Sequence, residues 1–269
     1  MSESRMYLHC TVNGAEDAPP LVFLHGFMGN TGDWDPIVHE LREDFRCICF
    51  DLPGHGRSAS ARGDMAQTCD AIVGQLAARD IRRFGLTGYS MGGRIALYLA
   101  LHYPGQVERL LLESASPGIR SHGERLHRAS ADAALARRLD AMGMADGSGF
   151  EAFVKAWYAK PLWTSLQERP ALLERVMQRR RQNEPAALAQ ALRTLGVGEQ
   201  PSLWDELARY TAPVRCVVGA HDAKYCRIAQ EMRVWAPPVS VVTVPDSGHD
   251  VHLETPGEYV RHVRDFFSQ

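Results

Sequence analysis

The chain has 269 residues, 45% hydrophobic and 23% charged, with a formal net charge of −2. That length and apolar share are enough for one core with an insertion, which excludes disordered and fibrous classes, and no apolar run approaches a membrane span. So small a net charge offers no global attraction for nucleic acid or an anionic bilayer, so any charge selectivity must be local.

The opening residues, MSESRMYLHC, lack the apolar segment of a secretory leader. Six cysteines, Cys10, Cys47, Cys49, Cys69, Cys216 and Cys226, form no C-x-x-C pair and no disulfide-framework spacing. Buried free thiols and a reducing, cytoplasmic setting are expected. Two apolar, strand-like runs follow, PLVFLHG from Pro20 and RCICFD from Arg46. Met65, Cys69, Ile72, Val73 and Leu76 then recur at helical spacing within Asp64 to Asp80. Further strand-like runs are RFGLTGY from Arg83 and VERLLLES from Val107. Near-continuous apolar strands alternating with amphipathic helices predict an α/β class, a mostly parallel sheet with helices on both faces. In such sheets ligands sit at the carboxyl ends of the strands.

Between Pro117 and Asp205 the strand pattern stops. The segment is rich in Ala, Arg and Leu, holds Trp157 and Trp163, and is interrupted at Gly147 to Gly149, Pro161, Pro170 and Pro185. It predicts a helical cap insertion, residues 117–205, over a core made of 1–116 and 206–269. Strands resume with VRCVVGAHD from Val214 and VSVVTVPDSGH from Val239. No internal repeat or long linker is present.

Gly88-Tyr89-Ser90-Met91-Gly92 matches G-x-S-x-G directly after a predicted strand and before a helical run, where a sharp turn would lift the Ser90 hydroxyl above the sheet. A serine becomes basic or nucleophilic only when a histidine takes its proton, and a carboxylate must orient that histidine. Two late strands end in Asp222 and His249, in the chain order such a set requires. Asp246 and Glu113 are rival acids, and His221 and His252 rival bases. The oxyanion site needs backbone donors, expected from Met91 at the helix start and Phe27 in LHGFMG. His25 and His55 are read as structural hydrogen-bonding residues.

At this point the chain resembles the α/β-hydrolase superfamily, through LHGF, DLPGHGRS, GYSMGG, the strand ending in Asp222, and SGH. That resemblance implies an α/β-hydrolase fold and a Ser90, Asp222, His249 catalytic set.

Arg94 stands four residues after Ser90 on one helical face. The insertion adds Arg120, Arg125, Arg128 and the run Arg179 to Arg181. Glu124, Asp132, Glu174 and Glu184 lie nearby, so about half of these guanidiniums are expected to be paired on the surface. The remainder would form a carboxylate-binding pocket, with Trp157 and Tyr158 as apolar walls, and the expected partner is a small polyanion. No ligand cluster implies a metal, and no G-x-G-x-x-G implies a coenzyme.

This combination is similar to one subfamily, the 2-succinyl-6-hydroxy-2,4-cyclohexadiene-1-carboxylate (SHCHC) synthases of menaquinone biosynthesis. The motifs that carry it are LVFLHGFMGN, GYSMGGRIAL, AWYAKPLW, RRQN, GAHDAKY and SGHDVHLETP. The resemblance implies a lyase that removes pyruvate from a tricarboxylate, with Arg94, Arg125 and Arg180 binding carboxylates beside Arg128. It also implies Trp157 and Tyr89 as pocket residues and Phe27 and Met91 as oxyanion donors. From charge, length and spacing, no cofactor, nucleic acid, membrane insertion or obligate protein partner is expected. The alternative keeps the triad in a serine esterase or carbon–carbon bond hydrolase acting on a small acidic substrate. A third reading, a binding protein on this scaffold, sits poorly with an intact Ser90, Asp222 and His249.

Overall fold

The computed structural model describes residues 6–143 and 148–269. Among them, β1 (Cys10–Asn13), β2 (Pro20–Leu24), β3 (Arg46–Phe50), β4 (Phe84–Tyr89), β5 (Val107–Glu113), β6 (Val214–Gly219) and β7 (Val239–Val244) form one sheet, in the order β1-β3-β2-β4-β5-β6-β7. β1 pairs antiparallel with β3, and every other pairing is parallel. β1 is the strand that the sequence pattern does not reveal. Its four residues, CTVN, are half-buried or exposed, so this edge strand has no apolar run to betray it.

Side chains alternate between two apolar layers, as a pleat of period two requires. Leu21 and Phe23 of β2 pack with Ile37 and Leu41 of α1 (Asp35–Leu41) and with Tyr259 and Val263 of α12 (Pro256–Phe267). Val22 and Leu24 face the opposite layer, with Ile72 and Leu76 of α2 (Met65–Ala77), Ile95 of α3 (Met91–His102) and Met232 of α10 (Ala223–Trp235). Cover on both faces is why these strands read as continuous apolar runs. α2 starts at a reciprocal cap: Asp64 accepts from Gln67 N at 2.9 Å, and the Gln67 side chain accepts from Asp64 N at 3.0 Å.

From β2 the chain moves outward to β3, then crosses back to β4 on the other side of β2. The loops leaving β2 and β4 therefore flank the crevice where the winding reverses, which is where ligands bind in such sheets.

Between β5 and β6 lie α4 (His122–Gly143), α5 (Ser148–Tyr158), α6 (Thr164–Gln167), α7 (Pro170–Arg180) and α8 (Pro185–Leu195). Pro170 and Pro185 each open a helix, where a missing N–H costs nothing; Gly147 lies outside the described residues. These helices share an apolar cluster of Leu139, Phe153, Val154, Leu188 and Leu192, which Met28 joins from the loop after β2. Leu203 and Trp204, at the end of the segment expected to be insertion, pack instead with the core layer, the latter from α9 (Trp204–Leu207). The described cysteines are free thiols; Cys47, Cys49, Cys69 and Cys216 are buried, whereas Cys10 and Cys226 are half-buried. Among the described residues, no helix is long and apolar enough to cross a membrane, and no group of three or more His, Cys, Asp or Glu side chains could hold a metal.

Candidate active site

β4 ends at Tyr89 and α3 begins at Met91, so Ser90 makes the reversal by itself, at φ 50° and ψ −106°. A non-glycine residue in so sparse a region costs about 1–3 kcal/mol. Two backbone bonds hold it there: Ser90 N donates to Glu113 O at 2.9 Å, and Arg94 N donates to Ser90 O at 3.1 Å. A side chain at Gly92 would strike the Leu24 and His25 carbonyl oxygens, and one at Gly88 the Gly92 and Gly93 backbone. The flanking glycines are thus a steric requirement of the turn.

Asp222 follows β6 as the N-cap of α10, where one carboxylate oxygen accepts from Tyr225 N at 3.1 Å. Its other oxygen takes the His249 Nδ1–H at 2.6 Å, and His249 Nε2 lies 3.2 Å from Ser90 Oγ. Donation from Nδ1 leaves Nε2 as the acceptor for the serine proton. Both partners are buried, Asp222 5% and His249 3% exposed, so water competes little for their bond. Tyr225, Tyr89 and Trp163 pack around the imidazole with ring centroids at 4.8, 5.4 and 5.4 Å. The rivals lie elsewhere: His221 and Asp246 are exposed, whereas Glu113 and His252 are buried and bonded to each other at 2.8 Å.

Phe27 belongs to the turn after β2 that Gly29 N closes on Gly26 O at 3.0 Å. A Cβ on Gly26 would overlap the Tyr89 ring and lie 3.5 Å from Ser90 Cβ, so this loop runs directly alongside the serine. Met91, as the first residue of α3, has no intrahelical acceptor for its amide. The Phe27 ring meets Trp157 and His55, each at 5.6 Å. His25 Nε2 accepts from Leu52 N at 2.9 Å, so its Nδ1–H donates to Gly26 O at 2.7 Å and braces the loop. The His55 Nδ1–H donates to Pro53 O at 2.9 Å. Burial lowers the pKa of both rings, and with His25 beside it His55 falls to about 3, so both are neutral braces.

The expected carboxylate binders divide. Arg94 is 6% exposed and donates to Leu195 O at 2.8 Å, Gln200 Oε1 at 3.3 Å and Gly196 O at 3.5 Å, clasping the carboxyl end of α8. Arg180 is 2% exposed and gives Nη1 to both Asp33 oxygens at 2.8 and 2.7 Å and Nε to Tyr158 Oη at 3.1 Å. Arg179 shares that carboxylate at 2.9 Å, so two guanidiniums meet the Asp33 carboxylate. Burial alone would raise the Asp33 pKa, but Arg180 and then Arg179 hold it well below the usual carboxylate range. Arg128 pairs with Asp132 at 2.8 Å while 40% of its side chain stays exposed, and Arg125 reaches His122 at 3.1 Å.

Two lysines that the sequence reading did not single out complete the positive charge. Lys160 sits 3.8 Å above the Trp157 ring, which abuts Phe27; Lys224 sits 5.2 Å above the Tyr225 ring, which abuts His249. Burial lowers the pKa of each, and Arg128 is a like-charged neighbour of both. The available signal was positional: Lys224 stands in the first turn after Asp222, and Lys160 in the aromatic AWYAKPLW run.

Residues 21–262 match the model of the Alpha/beta hydrolase family. A relative from Bacillus subtilis (strain 168) is 35% identical over 261 residues, 95% of this chain and 92% of that protein. The protein named 2-succinyl-6-hydroxy-2,4-cyclohexadiene-1-carboxylate synthase of Enterobacter sp. (strain 638) is 34% identical over 90% of this chain and 89% of its own. The solved structure of MenH from S. aureus superposes with a TM-score of 0.89 at 30% identity, covering 97% of this chain and 98% of that one. With its parallel sheet, strained serine turn and inserted helices, the chain belongs to the alpha/beta hydrolase family and, within it, resembles the SHCHC synthases.

Proposed function

We propose that this protein is a carbon–oxygen lyase of menaquinone biosynthesis. In this reading it eliminates pyruvate from 2-succinyl-5-enolpyruvyl-6-hydroxy-3-cyclohexene-1-carboxylate to give SHCHC. The observation that carries the reading is the Ser90, His249, Asp222 chain, at 3.2 and 2.6 Å, with Lys160 and Lys224 over Trp157 and Tyr225, the rings that abut Phe27 and His249. Relatives named for this reaction support it. A simple ester needs no such concentration of cations, whereas a tricarboxylate does.

Asp222 fixes the tautomer of His249, which accepts the Ser90 proton, and the serine oxygen takes the ring proton α to the succinyl ketone. The Phe27 and Met91 amides hold the negative charge that develops on the ketone oxygen. Electrons returning through the ring double bond break the C–O bond to the enolpyruvyl group. That group takes the proton from His249 and tautomerises to pyruvate, leaving serine and histidine as they began. Arg125, Arg128 and the two lysines engage carboxylates at the mouth. Arg94, with its donors held by uncharged oxygens, adds fixed charge, Arg180 is paired with Asp33 and braces Tyr158, and Tyr89 and Trp157 wall the pocket.

The test is pyruvate release from the enolpyruvyl substrate, followed by a lactate dehydrogenase couple together with absorbance of the conjugated diene. One pyruvate per substrate is expected, abolished in Ser90→Ala and His249→Ala. No pyruvate, with ready turnover of aryl esters, would replace this reading with that of an esterase.

A further inference from the structure

We propose that Glu113 and His252 form a positioning pair that ties the Ser90 turn to the His249 loop. Both residues have the chemistry of a triad member, yet neither faces Ser90. Glu113 ends β5 with no exposed surface, and it grips both reacting segments at once. Its main-chain oxygen accepts the Ser90 amide at 2.9 Å. Its carboxylate Oε1 accepts the His252 amide at 3.0 Å and the His252 Nδ1–H at 2.8 Å. His252 lies three residues beyond His249, in the short helix α11 (Val251–Glu254).

The His252 ring extends the connection. It lies 4.4 Å from the Trp34 ring on one side and 4.8 Å from Tyr89 on the other, and Tyr89 in turn packs against His249 at 5.4 Å. Tyr89 immediately precedes Ser90, and its ring fills the space a side chain on Gly26 would need. A shift of His252 is therefore transmitted to the serine turn, the histidine ring and the Phe27 loop together. Burying a carboxylate and an imidazole is costly compared with apolar packing of equal volume. It is costlier here because His252 Nε2 has no hydrogen-bond partner among the described residues. The return for that expense is geometric: one charged residue fixes the spacing of two loops whose reacting atoms must meet within a few tenths of an ångström.

The tie rests on Ser90 and His249 being the reacting pair, not on the identity of the substrate. The experiment measures kcat and KM for pyruvate release, the rate of Ser90 sulfonylation by phenylmethylsulfonyl fluoride, and the thermal midpoint. Glu113→Gln, His252→Leu, His252→Gln and His252→Asn are compared. Glu113→Gln and His252→Leu are expected to lower kcat on the order of 10- to 100-fold, with KM within about twofold and the sulfonylation rate falling in parallel. His252→Asn, which keeps a donor where Nδ1 stands, should recover more of both rates than His252→Gln, which places its donor at Nε2. A folded Glu113→Gln protein with wild-type kcat and sulfonylation rate would overturn the tie, as would equal rates in the Asn and Gln variants. Should Glu113→Gln fail to fold, the Asn and Gln comparison at His252 decides. If the wild type reacts with the sulfonyl fluoride but releases no pyruvate, the lyase reading fails and the sulfonylation rates alone judge the tie.

Discussion

Asp33 is the carboxylate whose loss should be felt most outside the reacting groups. It is 2% exposed, and Arg180, with a side chain 3% exposed, spends two hydrogen bonds on it. Asp33→Asn keeps the shape, removes the charge and leaves the Arg180 guanidinium buried against a neutral amide. Breaking such a pair from one side costs about 3–5 kcal/mol. Arg179, with 36% of its side chain exposed, adds under about 1 kcal/mol because solvent screens it. At about 2–4 °C per kcal/mol for a domain near this size, the melting temperature should fall by roughly 10 °C. Urea unfolding at pH 7 measures the loss directly, with an unchanged m-value marking a stability effect. The Asp33→Leu, Arg180→Met double variant should be less damaged than Asp33→Asn alone, since the one guanidinium left without its carboxylate, Arg179, is solvent-exposed. The Asp33 pKa is lowered on folding, so its contribution is complete above the unfolded value near 4 and fades as pH falls below that. Asp33→Asn should flatten this part of the acid-stability curve. A loss under about 1 kcal/mol, or a double variant as impaired as the sum of the single ones, would refute the buried-pair account.

His55 has the same sign in a higher pH window and for a different cause, burial of a neutral ring: stability is full above about pH 6.5 and declines as pH falls toward 3. At pH 4 this single group should cost roughly 3 kcal/mol; His55→Asn should melt with a shallower pH slope between 7 and 4, and identical slopes would count against it. Lys160→Met and Lys224→Met should each raise KM for the tricarboxylate severalfold with kcat little changed, and added salt should shrink the difference. An unaltered KM in both would remove the lysines from the site. Arg94→Met should release the carboxyl end of α8, read as faster amide hydrogen exchange across that helix, and unchanged exchange would show the clasp to be idle.

Features encoded by neighbouring residues could be read from the sequence alone, whereas features encoded by distant pairs could not. Ser90 announces itself because the small residues its strained φ needs are adjacent in sequence. Asp222 and His249 stand at the ends of apolar strands, where the parallel-sheet rule directs attention. β1 stayed hidden because an edge strand of half-exposed residues carries no hydrophobic period. The partner of Arg180 was out of reach for another reason: Asp33 is 147 positions away, and only the packing of α7 over the β2 loop brings the two together. Glu113 and His252, 139 positions apart, each looked like a rival triad member because chemistry alone does not say which histidine a carboxylate will meet. Lys160 and Lys224 carried only a positional signal, beside AWY and just after Asp222, and the aromatic rings beneath them are what single them out.

Ser90, Asp222 and His249 follow three different strands, β4, β6 and β7, so their meeting depends on how those strands align along the sheet. Slippage of one ladder by a single residue would move a loop by about 3.3 Å and send alternate side chains to the wrong face. Helix content would hardly notice such an error, but turnover would vanish. Recovery of activity after refolding is therefore a stricter gauge of correct strand alignment than any spectroscopic measure of secondary structure, and chains that regain helicity without it are candidates for misaligned sheets.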